Sequence, residues 1–437
     1  MPATIDSRAL YSKITWRLIP YLFLLYILAY LDRVNVGFAA LEMQRDLSLS
    51  STVYGVGAGI FFLGYMLFDL PSNLILQKVG ARRWIACMMI TWGIIATAMA
   101  SVTGVRSFYT LRFLLGISEA GFFPGIILYL TYWFPSGERA RAVAKFITAT
   151  SIAGVVGAPL SHWLLNMEGL GGLHGWQLLF LSEGIPTVLV GFSVLRLLKD
   201  GPAEAEWMAP EERAWLDAEL ARDRCASGAA ERHRLSDAFK MPMVWVLAAI
   251  YFISQVGVYT VNLWMPLLLH SVMPPATGDA ASTAHAASAA ALYSAIPYLF
   301  AAICTVILGW SSDRTGERRG HVAVALLLGA IGFTGAVYAH SMPAMLIAMS
   351  FAAMGYWSMM GAFWALPTAA LGGRAAAGGV SVIMIAGGMG GYFGGDMMGR
   401  IHDHTHSYAI GMFVIAGVTM AGALLCLLLP RRSHPAA

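Results

Sequence analysis

The sequence predicts an all-α membrane protein with twelve transmembrane helices in two six-helix halves. Three observations predict it. The 437 residues are 58% hydrophobic and only 12% charged, with a mean hydropathy of +0.66; a soluble domain carries about 25% charged residues. Apolar stretches recur along the whole chain, each long enough to cross a bilayer, which takes about 20 residues. One long polar stretch divides them six and six.

The apolar segments lie near 17–39, 53–76, 83–101, 107–134, 141–166, 176–198, 243–269, 287–311, 321–340, 343–371, 376–400 and 407–429. The expected units are therefore a six-helix bundle over 1–198, a linker over 199–240 and a second bundle over 241–437. Within the linker, Pro210 suits a first helical turn, and Glu211 and Glu212 suit its positive end. Trp215, Leu216 and Leu220 of that short helix are expected on a membrane surface or against the bundle. The 46 glycines and 13 tryptophans fit membrane helices and their interfaces. Cys87, Cys225, Cys304 and Cys426 have no paired spacing, so neither a disulfide framework nor a metal site is expected. The N-terminus lacks a signal-peptide pattern, so the first apolar segment is expected to stay as an anchor.

Orientation follows from Lys and Arg. Arg8, Lys13 and Arg17, then Lys78, Arg82 and Arg83, then Arg139, Arg141 and Lys145 fall on one side. The linker, Arg314, Arg318, Arg319, Arg374, Arg431 and Arg432 join them. The other side keeps Arg45, Arg106 and, at its boundary, Arg400. Both termini are expected in the cytoplasm, and the chain in the inner membrane. The opposite-side loop 271–286 is rich in Ala, Pro and Ser.

The fourth segment carries charge where charge is costly. Arg112 and Glu119 stand two helical turns apart on one face. An ionised group at membrane depth costs at least about 2.5–3.5 kcal/mol, so such residues face a bundle interior or a wet cavity. Gly116, Ser118, Ala120, Gly121 and Gly125 allow close helix contact there. The halves also repeat. Asn73-Leu-Ile-Leu-Gln-Lys-Val-Gly-Ala-Arg-Arg83 follows segment two, and Gly309-Trp-Ser-Ser-Asp-Arg-Thr-Gly-Glu-Arg-Arg319 follows segment eight. Each has a basic residue, a spacer, a glycine, a spacer and two arginines. Lys78, Gly80, Arg82 and Arg83 in one turn, and Asp313, Arg314, Gly316 and Arg318 in the other, are the candidate gating residues.

The second of these turns resembles the signature loop of the major facilitator superfamily. Within it, the chain resembles the anion:cation symporter family, notably its bacterial tartrate, phthalate and 4-hydroxyphenylacetate type permeases. Tyr30-Leu-Asp-Arg-Val-Asn-Val-Gly-Phe38, Leu70-Pro-Ser-Asn-Leu-Ile-Leu76, Arg112-Phe-Leu-Leu-Gly-Ile-Ser-Glu-Ala-Gly-Phe-Phe-Pro-Gly125, Phe180-Leu-Ser-Glu-Gly-Ile-Pro186, Ser294-Ala-Ile-Pro-Tyr298 and Phe363-Trp-Ala-Leu-Pro367 carry the resemblance, which covers essentially the whole chain. It implies uptake of an organic carboxylate, driven by a proton gradient without a cofactor, by alternating access in a monomer. Hydroxy-dicarboxylates, sugar acids and aromatic acids all offer the carboxylate. Two departures stand out. Gln77 occupies a position where the superfamily signature has an acid, which predicts a weaker latch than at Asp313. In helix eleven, Met384-Ile-Ala-Gly-Gly-Met-Gly-Gly391 replaces an Asn-Ser-Ile-Gly-Asn-Leu-Gly-Gly pattern, and Asp396 stands beyond it.

Residue roles follow. Segments one and four run antiparallel, so Asp32 and Arg112 are expected to pair. Arg33 is then left to bind substrate carboxylate through its planar fork. Glu119, among glycine and apolar neighbours, is the expected proton carrier, with Asp32 second. Tyr65, Tyr259, Asn262, Tyr298, Phe363 and Trp364 are expected to line the cavity. Asp69, Glu183 and His162 read as structural, and His402-Asp-His-Thr-His406 as a solvated loop rather than a metal site. No phosphate-binding loop of the Gly-x-x-x-x-Gly-Lys-Ser/Thr type occurs, and no His-Glu-x-x-His run or nucleophile–base set, so neither an ATP-driven pump nor an enzyme is expected. No nucleic-acid partner is expected. An export antiporter and an uncoupled facilitator are the competing readings.

Overall fold

The computed structural model describes residues 5–147, 149–228, 239–274, 280–370 and 373–429. Its helices are α1 (Ser7–Asp46), α2 (Ser51–Val79), α3 (Ala81–Ala98), α4 (Val105–Glu119), α5 (Phe122–Thr131), α6 (Ser136–Ile147), α7 (Ala149–Leu165), α8 (Gly175–Leu197), α9 (Pro210–Gly228), α10 (Pro242–His270), α11 (Ala280–Tyr293), α12 (Ala295–Thr315), α13 (Arg319–Val337), α14 (Met342–Ala370), α15 (Gly373–Thr405) and α16 (Ala409–Leu427). No strand occurs among the described residues. Arg431, Arg432, 229–238 of the linker and 275–279 of loop 271–286 lie outside them, as does the side chain of Arg374.

Ten of the described helical stretches are long and apolar enough to cross a membrane. Segments 141–166 and 376–400 are not among the ten. The first is divided between α6 and α7 on either side of Thr148, which lies outside the described residues, and the second is α15, whose side chains up to 377 lie outside them. Segment four is broken. Gly121 between α4 and α5 has φ of 82°, and a Cβ there would lie 2.2 Å from Ser72 Oγ. Only glycine meets both demands, the left-handed backbone and the lack of space.

The linker helix is docked on the bundle. Trp215 meets Tyr11 edge-on, and Leu216 and Leu220 are buried. Lys13 Nζ donates to Glu212 at 2.7 Å, and Ser136 Oγ donates to Asp223 at 2.6 Å. These contacts tie α9 to α1 and α6 at the end of the molecule where α1 begins, here called the basic end.

The two halves of the chain meet along a seam at the other end. α2 and α15 cross there through glycine. A Cβ on Gly55 would be 2.5 Å from the Gly395 carbonyl oxygen, and one on Gly399 would be 2.2 Å from that of Ser51. The seam runs through Gly59 against Tyr392 and Gly391 against Phe62 to Gly388 against Met66. Gly388 therefore serves packing, which accounts for the glycine at that position of helix eleven. One turn further toward the basic end, the same faces come apart: Leu70 is 69% exposed and Met384 36%. The result is a cleft that opens at the basic end and closes at the other.

Polar contacts lock the closed end. Asp403 accepts hydrogen bonds from the backbone N–H groups of Ser51 at 3.1 Å and Thr52 at 2.8 Å. A carboxylate from the second half thus caps a helix of the first, where the helix end is positive and its N–H groups lack partners. His402 bonds to Ser51 Oγ at 3.0 Å and stacks on Tyr408. The run 402–406 is a latch in this conformation, not a free loop. His162 of α7 bonds to the Ser288 carbonyl of α11 at 2.8 Å, as an interface histidine.

Asp403→Ala should weaken this closure by about 0.5–2 kcal/mol, the usual worth of a helix cap. Spin labels at Thr103 and Ser341, on opposite halves, should then show a distance distribution shifted to longer values.

Candidate functional site

Four buried charges converge where the cleft ends. Arg33 projects from α1, Arg112 and Glu119 from α4, and Asp32 stands beside Arg33. The Arg33 guanidinium is bonded to the Glu119 carboxylate, by Nε to Oε1 at 3.1 Å and also through Nη2. Its side chain retains 14% exposure, against 1% for Glu119. The second Glu119 oxygen, Oε2, has no partner. The rings of Phe61 and Tyr65 lie 5.6 and 5.3 Å from the guanidinium carbon, within cation–π range.

The expected pairing of Asp32 with Arg112 is wrong. Arg112 is fully buried and donates from Nη2 to the Ala58 carbonyl at 3.1 Å and from Nε to that of Gly57 at 3.4 Å. Its Nη1 has no partner. Asp32 Oδ2 instead accepts from Trp92 Nε1 at 3.1 Å and lies 3.1 Å from Thr187 Oγ1. Two geometric facts explain this. Consecutive helix residues point about 100° apart, so Asp32 faces α3 and α8 while Arg33 faces α4. Arg33 is level with Glu119, and Arg112 lies two turns, about 10 Å, closer to the closed end. Arg33 is thus not left free: Glu119 holds it.

The close approach of α2 and α4 makes this possible. A Cβ on Gly116 would be 1.9 Å from the Phe61 carbonyl oxygen, and one on Gly64 would be 2.3 Å from that of Phe113. With the helices so near, the Arg112 side chain reaches the α2 backbone. Phe61 then lies between the two cations, with its centroid 5.0 Å from the Arg112 guanidinium carbon. Asp69 stands one turn after Tyr65, and its backbone carbonyl accepts from Asn73 Nδ2 at 2.8 Å.

Residues from the second half complete the surroundings. Tyr298 donates its hydroxyl to Asn262 Oδ1 at 2.8 Å, and Asn262 Nδ2 donates to the Tyr30 hydroxyl at 3.3 Å. This chain links α12, α10 and α1 across the two halves. Tyr259 packs on Phe62, with centroids 4.2 Å apart. Trp364 lies with Phe363 and Tyr251, which stack at 5.1 Å. Sequence reasoning did not single out Tyr30, Phe61, Trp92 or Thr187. The i, i+3 spacing of Asp32 and Asn35 was the readable sign of a polar face on α1 toward α8.

The two basic turns differ in their partners. Gly80 and Gly316 have φ of 91° and 68°, the positive values a tight helix–helix turn needs. Asp313 pairs with Arg318 inside its own turn at 2.6 Å and is 74% exposed, while Arg314 lies over Trp310. In the first half, Arg82 pairs with Asp200 at 3.4 Å and Glu204 at 3.2 Å. Acids after α8 thus supply what Gln77 does not. Lys78 and Arg83 are exposed.

A bundle of long apolar helices, cleft from one end to a buried arginine–carboxylate centre, is the architecture of a membrane transporter and not of an enzyme. The chain belongs to the Major Facilitator Superfamily, whose family model matches residues 22–395. It is 44% identical to a putative tartrate transporter of Agrobacterium vitis, over 99% of this chain and 93% of that one. It is 37% identical to a quinolone resistance transporter of Acinetobacter baumannii, over 94% and 93% of the two chains. Its fold matches the crystal structure of a bacterial homologue of the human lysosomal transporter Spinster in an inward-facing, occupied conformation. That match has a TM-score of 0.73 at 19% identity, over 94% of this chain and 96% of that one.

Removing one member of a buried ion pair strands the other and typically costs about 3–5 kcal/mol. Arg33→Gln and Glu119→Gln should each lower the thermal unfolding midpoint, and the double variant should be more stable than the sum of the two losses implies. Additive losses in a double-mutant cycle would mean that the pair does not couple.

Proposed function

We propose that this transporter is a proton-coupled symporter that imports an organic carboxylate across the bacterial inner membrane. The observation that carries the reading is Arg33, partly exposed at the end of the cleft and held by one carboxylate whose second oxygen is unpartnered. Guanidinium binds carboxylate bidentately and stays charged. Glu119 can therefore hold Arg33 only while it is ionised. When Glu119 takes a proton, the arginine is released to a substrate anion. When substrate leaves and Glu119 loses its proton, the carboxylate reclaims the arginine and opposes rebinding. Arg112, with one free guanidinium nitrogen beside the same Phe61 ring, is suited to a second carboxylate. Tyr65, Tyr259, Asn262, Tyr298 and Trp364 supply hydroxyl, amide and aromatic surface around it.

The likeness to a putative tartrate transporter supports a hydroxy-dicarboxylate among the three classes of acid. We read twelve crossings in two six-helix units, 1–198 and 241–437, with both termini on one side and the Lys and Arg asymmetry favouring the cytoplasm. The cleft then opens inward, with Asp32 and Glu119 as the proton sites. The turns at 78–83 and 313–318 act as hinges and latches of the cytoplasmic end. The chain works as a monomer, needs no cofactor and takes its energy from the proton gradient. Export of amphipathic drugs by antiport is the second reading, favoured by the likeness to a quinolone resistance transporter. Against export of a cationic drug stands Arg33 at the end of the cleft, which repels it.

In liposomes with an imposed pH difference, tartrate should accumulate on the alkaline side. Glu119→Gln should keep counterflow exchange and lose accumulation. Arg33→Lys, which keeps the charge but not the fork, should weaken tartrate binding by at least about tenfold, or 1.4 kcal/mol. Full pH-driven accumulation by Glu119→Gln would remove it as the carrier. Binding of quinolones in place of tartrate would favour export.

A further inference from the structure

Behind the arginine–carboxylate centre lies a second acidic cluster, between α1, α3 and α8. Asp32 is 1% exposed and Glu183 4%. Glu183 Oε2 accepts a hydrogen bond from Asn35 Nδ2 at 2.9 Å. Three acceptor oxygens of the cluster have no partner: Asp32 Oδ1, Asn35 Oδ1 and Glu183 Oε1. Among the described residues, no Lys, Arg or His bonds either carboxylate. Arg33 is occupied by Glu119. On α1, Glu42 lies further toward the closed end and accepts from the Trp176 backbone. On α3 the only cations are Arg82 and Arg83, at the basic end, and α3 otherwise offers Cys87. On α7, His162 is held by Ser288 at the closed end. On α8 itself, Arg196 stands in the last turn. Two ionised carboxylates buried without a cation would each cost several kcal/mol.

The hydroxyl of Thr187 gives an independent sign. It lies 2.9 Å from the Glu183 carbonyl and 3.1 Å from Asp32 Oδ2. A hydroxyl has one hydrogen. If that hydrogen goes to the helix carbonyl, as is usual for threonine within a helix, the contact with Asp32 is a hydrogen bond only when Asp32 is the donor. The cluster is a set of acceptors short of hydrogens.

We propose that Glu183 is a further proton-binding group, sharing a site with Asp32 through the Thr187 and Asn35 side chains between them and distinct from Glu119. The inference rests on the proton-coupled reading for its role in transport, but not for its existence. Asp32 stands between Glu119 and Glu183, beside Arg33 in sequence and sharing the Thr187 hydroxyl with the Glu183 turn, so it links the Glu119 pair to Glu183. A proton held at Glu183 offsets one more charge of the substrate. A dianion could then be carried without moving net negative charge against a negative interior.

Infrared difference spectra of the full chain in detergent, recorded between acid and alkaline pH, test the site without any substrate. The wild type should show the carbonyl stretch of a protonated carboxyl group at neutral pH, and Glu183→Gln should lose a component of it. Asn35→Ala, which removes the donor to Glu183, should shift that component; it also serves if Glu183→Gln does not fold. Spectra unchanged by both variants overturn the proposal. In liposomes at clamped potential, Glu183→Gln should move one proton fewer per tartrate, so that accumulation at one unit of pH difference falls about tenfold. Glu183→Asp should restore the ratio. A slower rate at unchanged stoichiometry would show a structural role only and overturn the proposal, as would accumulation driven by sodium and lost in Glu183→Gln. Absence of any pH-driven tartrate flux in the wild type would instead refute the symport reading, and the infrared experiment alone would decide the site.

Discussion

Everything in the middle of this molecule depends on keeping two guanidinium groups at membrane depth. Hydrocarbon offers them no water, so the protein must supply every partner. For Arg112 the partners are backbone carbonyl oxygens of α2. They are within reach only because Gly64 and Gly116 let α2 and α4 approach to backbone contact. For Arg33 the partner is a carboxylate, Glu119. The difference in kind has a functional consequence. A carbonyl oxygen cannot be titrated away, whereas a carboxylate can, so Arg112 is anchored and Arg33 is releasable.

The glycine-lined seam between α2 and α15 makes the same contrast on a larger scale. Backbone-to-backbone contact needs no ordered side chains, and its polar lock is confined to one helix end capped by Asp403. Such a seam can separate at little cost in side-chain repacking, provided that other partners take up the N–H groups of Ser51 and Thr52. The face toward the basic end is lined differently, with exposed Leu70 and Met384 where the seam would continue.

The linker and the basic turns add restraint at the open end. α9 bridges α1 and α6 through Glu212 and Asp223, and Arg82 is anchored by Asp200 and Glu204. Each of these ion pairs is partly exposed, so each is individually weak. Several of them spread over α1, α3, α6 and α9 stiffen the first half without joining it to the second. That arrangement suits a half that moves as a unit.

The sequence alone determined the class of the molecule, the helical segments and the short set of buried charges. Those follow from composition and from the cost of charge in a bilayer, which are local properties. It also marked Gly116, Gly121 and the turn glycines, since only close contact or a positive φ explains glycine at such places. Which charge meets which was not legible. Arg33, Asp32, Arg112 and Glu119 allow more than one pairing, and the choice turns on the rotation of α1 and the relative depth of α1 and α4. Both are set by how whole helices pack. The cleft, the seam at Gly388 and the Asp403 cap join residues hundreds of positions apart, and no local pattern encodes them. Only the tertiary structure decided that Asp32 turns its back on both arginines, because a helix separates neighbouring side chains by about 100° and sends them to different partners.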